Sequence, residues 1–234
     1  VFAFKQFIIQ QDRTAMKVCT DACVLGAYAD VRGQRLLDIG TGTGLLALMA
    51  AQRNSAANID AVEIDEAAFG QAMENVAASP FADRVRVVHE RIQDWTGKSA
   101  NQLYDRILTN PPFYTNHLRS PDAAVNRALH TDELPFEDLI VAVNRLLQPD
   151  GQWWVLLPPY ETKTLTELAG EAGLKPLRRL SLHHNARKPA FRIITGFSYG
   201  EEPLINETLD CYESDGRTYT PEFRALLRDF YLIF

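Results

Sequence analysis

The sequence predicts an α/β fold: a seven-stranded, mostly parallel sheet covered by helices on both faces, with an antiparallel hairpin at one edge. Three observations carry this. Short apolar runs alternate with amphipathic stretches from Arg35 to Ala172, the pattern of repeated strand and helix units. A glycine-dense turn, Gly40 to Gly44, joins the first of these runs to the helix that follows it. The last two runs, about Pro176 to His183 and Arg192 to Tyr199, have no helix between them, so they must pair antiparallel.

Taken in order, Phe2, Phe4, Phe7 and Ile9 followed by "QQDRTAMKV" predict two short strands around a polar turn. Thr20 or Asp21 caps an Ala-rich helix that ends near Ala29. Strands are expected at "RLLDI", "NIDAVEI", "VRVVH", "YDRILT" and "QWWVLL". Between them lie helices Leu45 to Gln52, Glu66 to Ala78 and Phe136 to Leu147, and a turn at Gln148-Pro149-Asp150-Gly151. A last helix, Thr162 to Ala172, is stopped by Gly173. Beyond Gly200, "EEPLINETLD" and the helix-like "TPEFRALLRDFYLIF" are apolar enough to dock on the domain.

At 234 residues and 46% hydrophobic content the chain can bury one full core. No apolar run approaches the ~20 residues of a membrane span, so a soluble cytoplasmic protein is expected, with a monomer the favoured state. Cys19, Cys23 and Cys211 are an odd number without a zinc-like spacing, and they read as reduced packing residues. His183 and His184 point to opposite faces of a strand, and no metal site is expected. The net charge of −6 argues against a general nucleic-acid binder, but the charge is uneven. No acid lies between Glu171 and Glu201, where Lys175, Arg178, Arg179, Arg187, Lys188 and Arg192 fall. That stretch could hold a polyanion or be a solvated hairpin.

The glycines at 40, 42 and 44 let the backbone turn sharply and let a ligand approach, while the next helix offers free N–H groups. Glu63, at the end of the following strand, sits where a carboxylate can accept both hydroxyls of a ribose. A nicotinamide-binding loop would need Gly or Ala five residues after Gly40, where this chain has Leu45. Asp38 followed by Gly-x-Gly-x-Gly instead resembles the S-adenosylmethionine loop of class I methyltransferases. In that family the acid helps organise the methionine end. Asp94 in "RIQDW" resembles the residue that accepts from the cofactor's adenine amino group, and would otherwise be a solvated loop acid.

"YDRILTNPPFY" emerges at the carboxyl edge of the sheet, where open α/β folds bind ligands. Each residue before a proline is held extended, so Asn110, Pro111 and Pro112 form a nearly rigid run. It aims two acceptors, the Asn110 side-chain oxygen and the Pro111 carbonyl. A ring-conjugated amino group is a poor nucleophile because its lone pair is delocalised. Two acceptors on its two hydrogens favour a pyramidal nitrogen, and Phe113 offers a face for a planar base.

Asn-Pro-Pro-Phe in this setting resembles the catalytic motif of methyltransferases acting on adenine N6; Asn-Pro-Pro-Tyr is its relative in protein glutamine methylation. Together "FKQF", "KVCTDACVLGAY", "LLDIGTGTGLLALMAAQR", "AVEID", "YDRILTNPPFY" and "YTPEFRALLRDFYL" resemble the bacterial tRNA(Val) adenine-N6 methyltransferases over nearly the whole chain. The resemblance implies a Rossmann-like class I methyltransferase that uses S-adenosylmethionine, releases S-adenosylhomocysteine and modifies the adenosine 3′ of the anticodon. It places Lys17, Thr20 and Asp21 in a segment lining the cofactor pocket. Residues 1–30 are then an N-terminal hairpin and helix, 31–200 the methyltransferase domain and 201–234 a docking tail, in a single structural domain.

A base inside a helix cannot be reached, so the target adenosine must lie in a loop or be flipped out. The basic hairpin would then hold phosphates through Arg178, Arg179, Arg187, Lys188 and Arg192, and Arg127 and His130 in the long loop 114–134 could close over the base. Two other readings stay open. A methyltransferase for protein glutamine or a small amine would not need the basic hairpin. A non-catalytic RNA-binding module would not need Asn-Pro-Pro-Phe.

Overall fold

A computed structural model describes residues 1–14, 17–95, 103–112 and 134–234. The chain starts with a two-stranded hairpin, β1 (Phe2–Ala3) and β2 (Ile8–Ile9), and α1 (Thr20–Tyr28). The units β3 (Arg35–Ile39), α2 (Leu45–Arg53), β4 (Asn58–Glu63), α3 (Glu66–Ala77) and β5 (Val85–His89) follow. The second half runs β6 (Tyr104–Thr109), α4 (Phe136–Leu146), β7 (Leu147–Leu157), α5 (Pro159–Glu171), β8 (Lys175–His183), β9 (Ala190–Ser198), β10 (Ile205–Asp210) and α6 (Pro221–Leu227).

One sheet of eight strands, in the order β10-β8-β9-β7-β6-β3-β4-β5, organises the molecule. Only β9 runs against its neighbours, so β8 is parallel to β7 and both end on the same side as β6. The order reverses at β3, which pairs with β4 on one side and β6 on the other. A crevice at the carboxyl ends of β3 and β6 is the consequence.

The eighth strand comes from the tail. β10 pairs parallel with β8 from Ile205 opposite Arg178 to Asp210 opposite His183, so the hairpin is one strand in from the edge rather than the edge itself. Its sequence, INETLD, shows a polar strand with only Leu209 buried, and an edge strand needs no more. Two other boundaries differ from expectation. The N-terminal reversal is at Phe4 to Phe7, where the Phe4 N–H donates to the Phe7 carbonyl at 2.9 Å, while the polar residues after Ile9 dock on α3. Residues 148–151 are a bulge within β7: Leu147 pairs with Tyr104, and pairing resumes with Gln152 opposite Arg106.

The two faces carry separate cores. On one, Leu36, Leu108, Trp154, Leu180 and Ile194 meet α1, α2 and the C-terminal aromatics. On the other, Leu37, Ile107, Trp153, Val155 and Phe197 meet α4 and α5. The alternation of neighbours between faces is the period of a strand. Helix α1 is buried from Asp21 to Gly26 and on to Ala27 because it lies between the sheet, α2 and the tail. Gly26 permits that approach, since a Cβ there would meet the Met49 sulfur at 2.5 Å. The tail closes on the N-terminus: Lys5 N–H donates to the Phe230 carbonyl at 2.9 Å, and Tyr231 packs against Phe2 and Phe4. Thr220 caps α6 by accepting from the Phe223 N–H at 3.2 Å and donates to the Asp210 carbonyl at 2.6 Å.

Candidate active site

Ile39, the last residue of β3, pairs with Thr109, the last of β6. Gly40 and Asn110 therefore leave neighbouring parallel strands at the same height, about 5 Å apart in the spacing of a sheet. This single register brings the glycine loop and the Asn-Pro-Pro run together at the crevice.

The loop keeps its shape through left-handed glycines and one carboxylate. Gly40, Gly42 and Gly44 have φ of +68°, +56° and +85°, angles that a side chain disfavours. A Cβ at Gly40 or Gly42 would meet nothing within 4 Å among the described residues, so these positions face open space. The Glu63 carboxylate is buried and accepts from the Gly42 N–H at 2.8 Å, and from the Ile64 and Asp65 N–H groups at 2.9 Å. Three of its roughly four acceptor positions are thus in use. The structure leaves room for one further hydroxyl, where the sequence suggests two.

Asp38 lies beneath the loop and accepts from the Thr41 hydroxyl at 2.5 Å. Burial pushes its carboxyl up to about 7; Thr41 and the Ala47 N–H pull the other way and Glu63 adds to the rise. Asn75, which is 2% exposed, ties the loop to the N-terminal segment: its Nδ2 donates to the Thr43 and Gln10 carbonyls, and its Oδ1 accepts from the Gln10 N–H. Gln71, one turn earlier on α3, accepts from the Arg13 N–H at 2.8 Å. These two supports are absent from the sequence reading. Their signal is a pair of amides at i and i+4 on the inward face of α3.

Asn110 sits at the mouth of β6, over Thr109, whose hydroxyl accepts from the Trp153 indole at 3.1 Å. Pro111 is buried and Pro112 exposed. The Asn110 Oδ1 is buried and has no hydrogen-bond partner among the described residues. A buried acceptor without a donor costs about 1 to 3 kcal/mol, which suits an atom kept for a substrate. Phe113, Arg127 and His130 lie outside the described residues.

The other expected residues have partners of their own or are exposed. Lys17 folds back and donates to the Gln11 and Thr14 carbonyls at 2.5 and 2.7 Å. Thr20 is exposed at the start of α1. Asp94 is exposed in the turn after β5, with Arg91 at 4.0 Å. Arg145 of α4, also unforeseen, holds that turn by donating to the carbonyls of Ile92, Gln93 and Trp95 at 2.8 to 2.9 Å.

The basic stretch does not act as one patch. Arg178 is paired with Glu207 of β10 at 2.8 Å and lies over Tyr28. Arg192 is paired with Asp21 at 2.9 Å. Arg179 is half-buried on the opposite face against Thr166. Arg187 and Lys188 are exposed in the turn. Local sequence cannot show the difference, because the partners of Arg178 and Arg192 come from β10 and α1.

Burial pushes the Cys19 and Cys23 thiols up to about 12 and Cys211 to about 11, which makes them poor nucleophiles.

A mostly parallel sheet whose switch point joins a left-handed glycine loop, a buried glutamate and an Asn-Pro-Pro run defines a class I, S-adenosylmethionine-dependent methyltransferase, and the open space at Gly40 and Gly42 fits that cofactor. Residues 22–167 match the family model described as "Methyltransferase small domain". A predicted O-methyltransferase from Agrobacterium tumefaciens shares the fold with a TM-score of 0.68, over 89% of this chain and 96% of that one, at 20% identity. The chain belongs to the tRNA1(Val) (adenine(37)-N6)-methyltransferase family. It is 50% identical to the relative so named in Dyadobacter fermentans, over 100% of this chain and 98% of that protein. It is 44% identical to the one in Trichodesmium erythraeum, over 99% and 97%.

Proposed function

We propose that this protein transfers a methyl group from S-adenosylmethionine to the exocyclic N6 of adenosine 37 of tRNA1(Val). The observation that carries the reading is the buried Oδ1 of Asn110 beside the glycine loop, without a hydrogen-bond partner among the described residues. The named relatives support the choice of tRNA and position.

Bound S-adenosylmethionine supplies an electrophilic methyl group on a sulfonium. The chain's task is to place the acceptor. Asn110 Oδ1 and the Pro111 carbonyl accept the two N6 hydrogens and favour a pyramidal nitrogen with its lone pair available. The prolines keep both acceptors in place before the base arrives, so little ordering remains to be done at the reaction. Phe113 stacks on the base. No strong base is needed at the outset, since the nitrogen becomes acidic only as the new N–C bond forms and the S–C bond breaks, and its proton then passes to water. Glu63 takes a ribose hydroxyl, Gly40 and Gly42 admit the cofactor closely, Asp38 organises its methionine end and Asp94 its adenine. Lys17, Thr20 and Asp21 border the pocket, and Arg127 and His130 close over the base.

Arg187 and Lys188 supply phosphate contacts at the same sheet edge, with Arg178, Arg179 and Arg192 bracing the hairpin that carries them. A protein or small-amine acceptor would leave those two cations without a use, and a non-catalytic module would leave Asn110 without one. Among the described residues no helix is long and apolar enough to cross a membrane, and action on tRNA in the cytoplasm, as a monomer, completes the proposal. Its test is incubation with labelled methyl donor and total tRNA from a strain lacking the enzyme, followed by nucleoside analysis. Label in N6-methyladenosine is expected; label in protein or in another nucleoside overturns the reading.

A further inference from the structure

We propose that His184, stacked on Phe191 at the tip of the β8–β9 hairpin, is a stacking site for an unpaired base of the substrate RNA. The proposal rests on the reading of the chain as a tRNA methyltransferase and adds a second base contact outside the methyl-transfer pocket.

The two rings lie 4.2 Å apart and 9° from parallel. Phe191 is half-buried and packs on the core shared with α1, so one face of the imidazole is covered by a ring seated on that core. His184 itself is exposed. The platform is also held through the backbone: the Tyr212 N–H donates to the His184 carbonyl at 2.9 Å, and the neighbouring His183 Nδ1 lies 2.8 Å from the Lys188 carbonyl across the turn. Asn185 shapes that turn, its side chain accepting from the Arg187 N–H at 3.0 Å and its carbonyl from the Lys188 N–H at 3.0 Å. An exposed ring stacked on a half-buried one, beside two exposed cations, is poorly explained by folding alone.

The surroundings select the ligand. Arg187 and Lys188 are exposed, and neither side chain has a partner among the described residues. An exposed ring flanked by cations suits a nucleotide, whose base stacks while its phosphates meet the charges. The platform also lies on the correct side. β8 is parallel to β6 and ends on the same side of the sheet as Asn110; the register sets Thr109 level with Arg179, so His184 lies three strands across and about four residues further along, roughly 19 Å from Asn110. Arg192, next to Phe191, is paired with Asp21 at the start of α1, which connects the platform to the segment bordering the cofactor pocket. An RNA loop whose target base enters the crevice would thus place an unpaired base a few nucleotides from the target within reach of His184.

Stacking and charge separate experimentally through salt. Loss of a stacking contact lowers affinity equally at all salt concentrations, whereas loss of a phosphate contact reduces the salt slope. Binding of the full-length protein to an anticodon stem-loop of tRNA1(Val) is measured across salt for the wild type, His184→Ala and His184→Phe, together with S-adenosylhomocysteine affinity as a control on folding. His184→Ala is expected to weaken RNA binding by about 5- to 150-fold with an unchanged slope and unchanged S-adenosylhomocysteine affinity, and His184→Phe to restore it. Wild-type RNA affinity in His184→Ala, a reduced slope, or no rescue by His184→Phe overturns the stacking site. Where the wild type methylates tRNA in the same preparations, that failure belongs to the stacking site alone; where the wild type neither binds nor methylates tRNA, the proposed function fails with it.

Discussion

Asn110 and Glu63 show two ways in which a polar side chain can stand at the end of a strand. Glu63 has most of its acceptor capacity occupied by the backbone of its own site, while the Asn110 oxygen has none occupied among the described residues. Their substitutions should differ accordingly. Asn110→Ala is expected to leave S-adenosylhomocysteine affinity nearly intact and to lower the single-turnover methylation rate by roughly 100-fold or more, the scale for removal of one preorganised polar group at a reacting centre. An unchanged rate would remove Asn110 from the reaction. Glu63→Ala is expected to weaken S-adenosylhomocysteine binding by about 1.5 to 3 kcal/mol in calorimetry, from a lost charged acceptor and a loosened loop, and unchanged affinity would exclude Glu63 from the site. Both residues are legible in the sequence because a strand end next to a glycine turn or a double proline has one place to go in such a sheet. Arg178 and Arg192 are not legible in this way: each reads as a free cation until Glu207 and Asp21 are brought against it by distant elements.

Among the elements, the β8–β9 hairpin is where charge and topology meet. Replacement of Arg187 and Lys188 together by Ala is expected to weaken tRNA binding and to lower its salt slope by up to ~1.8, the release expected for two phosphate contacts on a duplex, with S-adenosylhomocysteine affinity unchanged. A wild-type slope would make the turn a solvated surface. The contact of α1 with α2 has its own test. Gly26→Ala drives a methyl group into Met49 and is expected to cost about 1 to 3 kcal/mol in urea unfolding; no loss would mean that the Met49 side chain gives way without cost. The alternating strands and helices could be read from Arg35 to Ala172 because the central strands β3, β4, β6 and β7 bury most of their residues on both faces and carry apolar runs. β10 was hidden because an edge strand needs little apolar surface, and INETLD resembles a loop. α5 begins at Pro159, earlier than its apolar pattern, because Pro158 and Pro159 preset the backbone of its first turn.

At the scale of the molecule, a sheet that places Asp38 in its interior makes stability depend on pH. Burial raises the folded-state value to about 7 from an unfolded value of 3.8, so the folded protein holds the proton more tightly. That contribution is fully present below pH 3.8 and is lost as pH rises towards 7. The melting temperature of the cofactor-free protein, compared with Asp38→Asn, which carries no titrating group there, should fall relative to the variant from pH 4 to 7. A constant difference would mean that Asp38 is ionised throughout. The central claim concerns the whole arrangement: a switch-point crevice that holds one adenine amino group against Asn110 and the methyl donor. It is tested most directly by methylation of two tRNA1(Val) transcripts, one with adenosine at position 37 and one with guanosine there, using labelled S-adenosylmethionine and mapping of the product. The account predicts one N6-methyladenosine, at position 37, in the first transcript and no methyl transfer to the second; equal labelling of both transcripts would contradict it.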